Sequence, residues 1–217
     1  MKLLKKIIGV FIGIIILGIG VALSKAAALG QDPLAAFIFS FVYLFDEKLP
    51  YSTWYIIINL LFFIVMLIFL RKKINIGTIA GLIFIGIFSD IFYGIFVNLN
   101  IIPTKIILRL IVTILGIVFS CFGIAFYGSA NLGLAPYDAL SVLISGTFPK
   151  IKFKFARIIM DTTCTVIAII IGCIVLHRSD LVNINTILNF IFAGPLIGFF
   201  SKFIAKIYYK EEHSDFN

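Results

Sequence analysis

Apolar runs and short polar joints alternate along this chain. A helix that crosses a bilayer needs about 20 mostly apolar residues. Six runs come close to or exceed that length, at about 7–29, 54–70, 76–97, 106–127, 155–176 and 186–208. Two further runs, 33–45 and 136–148, are apolar but only about 13 residues long. They predict short helices that lie in the interface, dip in and return, or cross. The pattern predicts an all-α polytopic membrane protein: one transmembrane domain over 1–209, then a polar cytoplasmic tail at 210–217.

Composition agrees with this pattern. The 217 residues are 62% hydrophobic and 13% charged, against about 45–50% apolar and about 25% charged in a soluble domain. The 24 phenylalanines and the isoleucine runs exclude disorder, which requires low hydrophobicity. A net charge of +8 raises the question of nucleic acid. Nucleic-acid faces cluster Lys and Arg on a polar domain, whereas here the basic residues sit between apolar runs, so no nucleic-acid partner is expected. If neither short run crosses, one side collects Lys2, Lys5, Lys6, Arg71, Lys72, Lys73, Lys150, Lys152, Lys154, Arg157, Lys202, Lys206 and Lys210. These are 13 of the 18 basic residues. Six spans with both termini cytoplasmic therefore obey the positive-inside rule, and the location expected is a bacterial cytoplasmic membrane. The basic start and Ala26-Ala27-Ala28 look like a signal peptide with its cleavage site. The apolar stretch is long for one, since signal cores run about 7–15 residues, and a retained span is expected. Cys121, Cys164 and Cys173 lie in apolar runs without metal or redox spacing. They predict packing roles, with no metal and no cofactor.

The two halves resemble each other. Residues 20–36 (GVALSKAAALGQDPLAA) align without gaps on 123–139 (GIAFYGSANLGLAPYDA) at an offset of 103. Seven of 17 positions are identical, where apolar bias alone gives about one or two. Gly13 matches Gly116, Thr78 matches Thr186, Gly86 matches Gly194, and Asn59 falls near Asp161. Three spans per half is an odd number, so the second half must enter from the other side. The expected fold is six helices as a 3+3 inverted repeat, with repeat 1 at about 5–100 and repeat 2 at about 105–209. Each half carries a Gly-x-x-Pro break and a short re-entrant or interfacial helix. Inverted repeats with interrupted helices at matching positions point to transporters.

Each break has its own physics. Gly30 and Gly133 can take the left-handed conformation that ends a helix. Pro33 and Pro136 suit the first turn of the next helix, and Asp32 can cap it. A helix N-terminus at a break offers N–H donors and partial positive charge.

The pattern Gly-x-Ala, then Leu-Gly-x-x-Pro-x-Asp-Ala-Leu, within 123–140 resembles the YczE/YitT family of uncharacterised bacterial integral membrane proteins. Arg157-x-x-x-Asp161 is similar to that family's Arg-x-x-x-acid element, and Thr186 with Gly194-Pro195 to its Thr-then-Gly-Pro region. The chain departs from it at Asn185, where the family pattern has Gly. The resemblance implies a multi-span membrane protein without an assigned activity.

Ionisable groups inside spans cost ~2.5–3.5 kcal/mol each on insertion scales and are functional candidates. Arg157 and Asp161, one turn apart, can pair. A structural lock is favoured for the pair, with Asp161 the better candidate for ion or proton coupling and Asn59 facing it across the pseudo-axis. Asn131 and Asp138 flank the second break, and Asp138 is expected to serve the helix dipole rather than a ligand. Lys25, read as an unpaired cation before the first break, is expected to snorkel. Asp90 needs a partner from another helix or water. No catalytic constellation is present, and an enzyme is not expected.

The function these features predict is a small-solute or ion transporter, or a channel-like protein, with its site between the repeats. A non-transporting accessory protein and the binding subunit of a vitamin uptake system are the alternatives. The expected partners are the bilayer, a small solute or ion, and a second copy or a membrane partner protein brought close by Gly9/Gly13 and Gly194/Gly198.

Overall fold

The computed structural model describes residues 2–148, 150–151, 153–177 and 180–209. The predicted tail at 210–217 lies outside them, as do Lys152 and Lys210. Among the described residues the chain forms eight helices and no strand. They are α1 (Lys2–Ala27), α2 (Pro33–Leu44), α3 (Tyr51–Phe69), α4 (Ile76–Asn98), α5 (Ile106–Gly128), α6 (Pro136–Thr147), α7 (Phe153–Ile169) and α8 (Ile184–Ile204). A π-helical turn extends α7 over Ile170–Val175, and another extends α8 over Ala205–Tyr209. Six of these helices are long and apolar enough to cross a membrane. Their outward faces carry large apolar side chains such as Leu61, Phe69, Ile107 and Phe199, which suits lipid rather than water.

The centre is the α1–α5 crossing, and four glycines bring it close. A Cβ at Gly13 would fall 2.9 Å from Gly123 O, and one at Gly123 would fall 2.7 Å from Gly13 O. The same exchange occurs between Gly20 and Gly116, at 2.8 and 3.0 Å. Gly13 meets Gly123 and Gly20 meets Gly116, so the two helices run antiparallel, backbone against backbone. Gly9 is filled by the Tyr209 ring. The Gly9/Gly13 pair thus serves packing within the chain, while Gly198 has no atom within 4 Å of a built Cβ.

Helix starts follow local chemistry. Asn75 caps α4 and Asn183 caps α8, each in a capping box with the Thr three residues on. Pro33 and Pro136 open α2 and α6, and Asp32 Oδ1 accepts from Ala35 N at 3.1 Å. Twelve residues make about 18 Å of helix, too little for a hydrocarbon core of about 30 Å. Burial shows where these helices go. α2 is buried near Pro33 and exposed at Leu44, and α6 is buried over 136–141 and exposed at Gly146. Each begins inside the protein and runs out to its surface. The start of α1 and the end of α8 share one face, where Lys5 Nζ donates to Tyr208 O at 2.5 Å.

Candidate functional site

The two breaks have matched backbones. After α1, Ala28 and Gly30 take φ of 51° and 85°; after α5, Asn131 and Gly133 take 53° and 90°. Gly30 and Gly133 take the left-handed conformation expected of them. An earlier left-handed residue ends each helix, an alanine in one half and an asparagine in the other. Each break docks on the other half. Leu29 O accepts from Asn185 N at 2.9 Å and Gln31 O from Thr186 Oγ1 at 2.6 Å. Leu132 O accepts from Gly77 N at 2.7 Å. The docking elements read Asn-Ile-Gly-Thr at 75–78 and Asn-Ile-Asn-Thr at 183–186. Sequence reasoning found their threonines and Asn185, but not the shared Asn-Ile-x-Thr element. Asn185, the departure from the family pattern, donates its Nδ2 to Gly30 O at 3.2 Å, so its amide joins the docking.

Both unwound segments reach one buried cavity of about 50 Å³ in the middle of the bundle. Asp32, Pro33 and Leu34 line it from the first break; Ala135, Tyr137 and Asp138 line it from the second. Arg157, Asp161, Cys121 and Asn189 complete its polar rim. The N-termini of α2 and α6 thus meet in the interior.

Arg157 organises this centre. Its Nη1 donates to Asp138 Oδ1, and its Nε lies 3.2 Å from Asp161 Oδ1. The guanidinium carbon stands 4.8 Å from the centre of the Tyr137 ring. Tyr127 Oη donates to Asp138, and Tyr137 Oη to Asp161. Asp138 is 4% exposed and Asp161 2%. The expected Arg157–Asp161 pair is present, but Asp138 is more than a dipole partner: it is Arg157's second carboxylate. Nothing in the spacing of 138 and 157 announced this, because α6 and α7 are brought together only by the fold. Tyr127 and Tyr137 carried no sequence signal of their own.

The charges do not balance. One guanidinium pairs with Asp138 and Asp161, and the partly buried Asp32 lines the same cavity. Three ionised carboxylates would leave two negative charges uncompensated in a low-dielectric interior, which is costly.

Two more cavities border the first. A vestibule of about 270 Å³ shares Tyr51 with it, and a cleft of about 140 Å³ between α7 and α8 shares Arg157 and Asp161. Lys25 and Asp90 lie in the vestibule. Lys25 is not unpaired. Its Nζ is 3.9 Å from Asp90 Oδ1 and 4.0 Å from the centre of the Tyr93 ring. Asp90 finds its partners on other helices, as expected: Lys25 and the Ser52 N–H, the latter at 2.8 Å.

Asn59 is fully buried, and its Nδ2 donates to Tyr55 O at 3.0 Å on its own helix. Asn131 is exposed in the second break, beside a groove lined by Lys73 and Asn75. Its role there is conformational, since asparagine tolerates the left-handed region.

Comparison with known proteins identifies the family. A family of unknown function (DUF6198) matches residues 4–202, and the chain belongs to it. The chain is similar to the uncharacterized membrane protein YczE of Bacillus subtilis (strain 168), 37% identical over 136 residues. That alignment covers 62% of this chain and 60% of the relative, so the chain spans about three fifths of that protein's length. It is also similar to an uncharacterized protein of Haemophilus influenzae, 26% identical over 88% of this chain and 81% of the relative. No solved structure matches. The chain is an integral membrane protein of the YczE-like type.

Proposed function

We propose that this member of the DUF6198 family is a small-solute transporter coupled to a proton or cation, built as a 3+3 inverted repeat. It sits in a bacterial cytoplasmic membrane with both termini inside. The inverted repeat is supported by the matched break angles, the reciprocal docking of the breaks and the antiparallel glycine crossing. The orientation is supported by the positive-inside bias.

The observation that carries the reading is the convergence of both breaks and both short-helix N-termini on one cavity with more carboxylates than cations. Interrupted helices meeting at the repeat interface are where transporters bind their cargo. Asp161, held by Arg157 and Tyr137, is the coupling carboxylate. Asp138 holds Arg157 in place, and Asp32 supplies the third acid. The vestibule and the α7–α8 cleft are the two access routes, closed from the centre by Tyr51 on one side and by the Arg157–Asp161 pair on the other. A cavity of about 50 Å³ admits a few waters or a small ion. This size gives no support to a vitamin-binding subunit, because sites for such ligands run to about 300 Å³ or more. No catalytic role is assigned.

Reconstituted protein should acidify or alkalinise the lumen of proteoliposomes when given its solute, read with a trapped pH dye. Asp161→Asn should reduce that flux by about tenfold or more, with the fold intact by thermal unfolding. Full flux in Asp161→Asn would reject the coupling role. No flux with any solute of a broad panel, together with a stoichiometric membrane partner in pull-downs, would favour the accessory role instead.

A further inference from the structure

The vestibule lies beyond the central charge cluster and holds an occupant of its own. Lys25 Nζ sits 4.0 Å from the centre of the Tyr93 ring and 5.1 Å from that of Phe39. Asp90 lies 3.9 Å away on a third side. Tyr51 stacks on Phe39 with ring centres 4.7 Å apart, which makes the aromatic wall continuous. Glu47 closes the rim from the joint after α2. Two successive non-glycine residues of that joint, Asp46 and Glu47, have φ of 54° and 55°. Such conformations persist only where surrounding structure holds them.

Aromatic faces around a carboxylate are the chemistry that binds alkylammonium ions. Here the protein's own lysine fills the cage. Lys25 and Asp90 are 22% and 25% exposed, so a solute can reach both. Beside the Lys25 ammonium the cavity leaves about 270 Å³ of space, enough for a second small cation. With Lys25 counted, the vestibule holds one cation against two carboxylates.

We propose that this vestibule is a binding site for small organic ammonium ions, and that Lys25 is a tethered competitor occupying it in the resting state. An arriving ammonium takes the place of the Lys25 ammonium over Tyr93 and beside Asp90. This rests on the transport reading, in which the vestibule leads through Tyr51 to the central cavity, and it names the class of solute. A tethered ligand acts at an effective concentration in the millimolar range, so removing it raises the apparent affinity for a free one.

Trp54 is the only tryptophan of the chain and stands one helical turn from Tyr51. It stacks on Phe45, with ring centres 4.9 Å apart, at the end of the joint that carries Glu47. Its emission in the full chain, in mild detergent, can be titrated with tetramethylammonium and methylammonium, with tert-butanol as the neutral control. Wild-type protein should show weak saturable quenching by the ammonium ions and none by tert-butanol. Lys25→Gln and Lys25→Met should bind the ammonium ions about tenfold more tightly, and Asp90→Asn should remove the saturable signal from wild type. The proposal is overturned if neither wild type nor either Lys25 variant saturates below about 10 mM ammonium, or if tert-butanol binds equally. Binding without flux in proteoliposomes would defeat the transport reading and leave the ammonium site standing. Flux of another solute without ammonium binding would do the reverse.

Discussion

The two break-and-short-helix units share one backbone and bring different side chains to the same cavity. At the offset of 103, Ala28 with Gly30 and Asn131 with Gly133 have nearly equal φ angles, and both short helices open on proline. Side chains at equivalent positions then diverge. Ala35 answers to Asp138 and Leu34 to Tyr137. Near α2, Trp54 packs on Phe41 and Phe45; near α6, Arg157 grips Asp138. The first unit brings one acid, Asp32, where the second has Ala135, and the second brings Asp138, which pairs with Arg157 on the next helix. Backbone breaks bring both units to the centre. What each unit adds there depends on a few side chains around its break. A duplicated frame can place different ionisable groups in its two copies, because the frame is held by backbone docking that either copy can make.

The largest test of this asymmetry lies at its charged pole. Arg157→Met leaves Asp138 and Asp161 buried without their cation and should cost about 3–5 kcal/mol. In the first unit, Trp54→Phe should cost less, about 1–2 kcal/mol, because it trims a partly buried ring and the buried Trp54 Nε1 has no hydrogen-bond partner to lose. Thermal unfolding in mild detergent checks both. Equal losses would mean that the two units bear equal loads.

A middle-sized test concerns the docking. A Cβ at Gly77 would meet Gly133 O at 2.6 Å and Leu132 O at 2.7 Å, so Gly77→Ala should cost about 2 kcal/mol. At the matching place, Asn185→Gly loses the amide's bonds to Gly30 and Asn189 and should cost about 1 kcal/mol. Denaturant midpoints at constant slope measure the pair.

The smallest test separates the two left-handed residues. Ala28→Gly removes a Cβ penalty and should stabilise by about 1 kcal/mol, whereas Asn131→Gly should change stability by only a few tenths. A gain at Asn131 equal to that at Ala28 would show that asparagine brings no advantage to the second break.

Much of this frame was legible in the chain. Spans, breaks, the duplicated Leu-Gly-x-x-Pro element and the Arg157–Asp161 pair all depend on residues close in sequence. The same locality hid Asp138's partner and left Lys25 unpaired, since their neighbours lie on other helices. The Asn-Ile-x-Thr duplication was visible and went unused, because two capping boxes carry no meaning until the opposite breaks are seen resting on them.

By itself, the sequence determined that this chain lives in a bilayer, how many helices are long enough to cross it, and where two of them break. Hydrophobic length and backbone conformational cost act locally, so local sequence suffices for them. Only the tertiary structure decided that both breaks meet at one cavity, that one arginine serves two aspartates there, and that Lys25 lies in an aromatic cage. Those outcomes depend on distances between helices far apart in the chain, and these are set by the α1–α5 glycine crossing and the exchanged docking of the breaks.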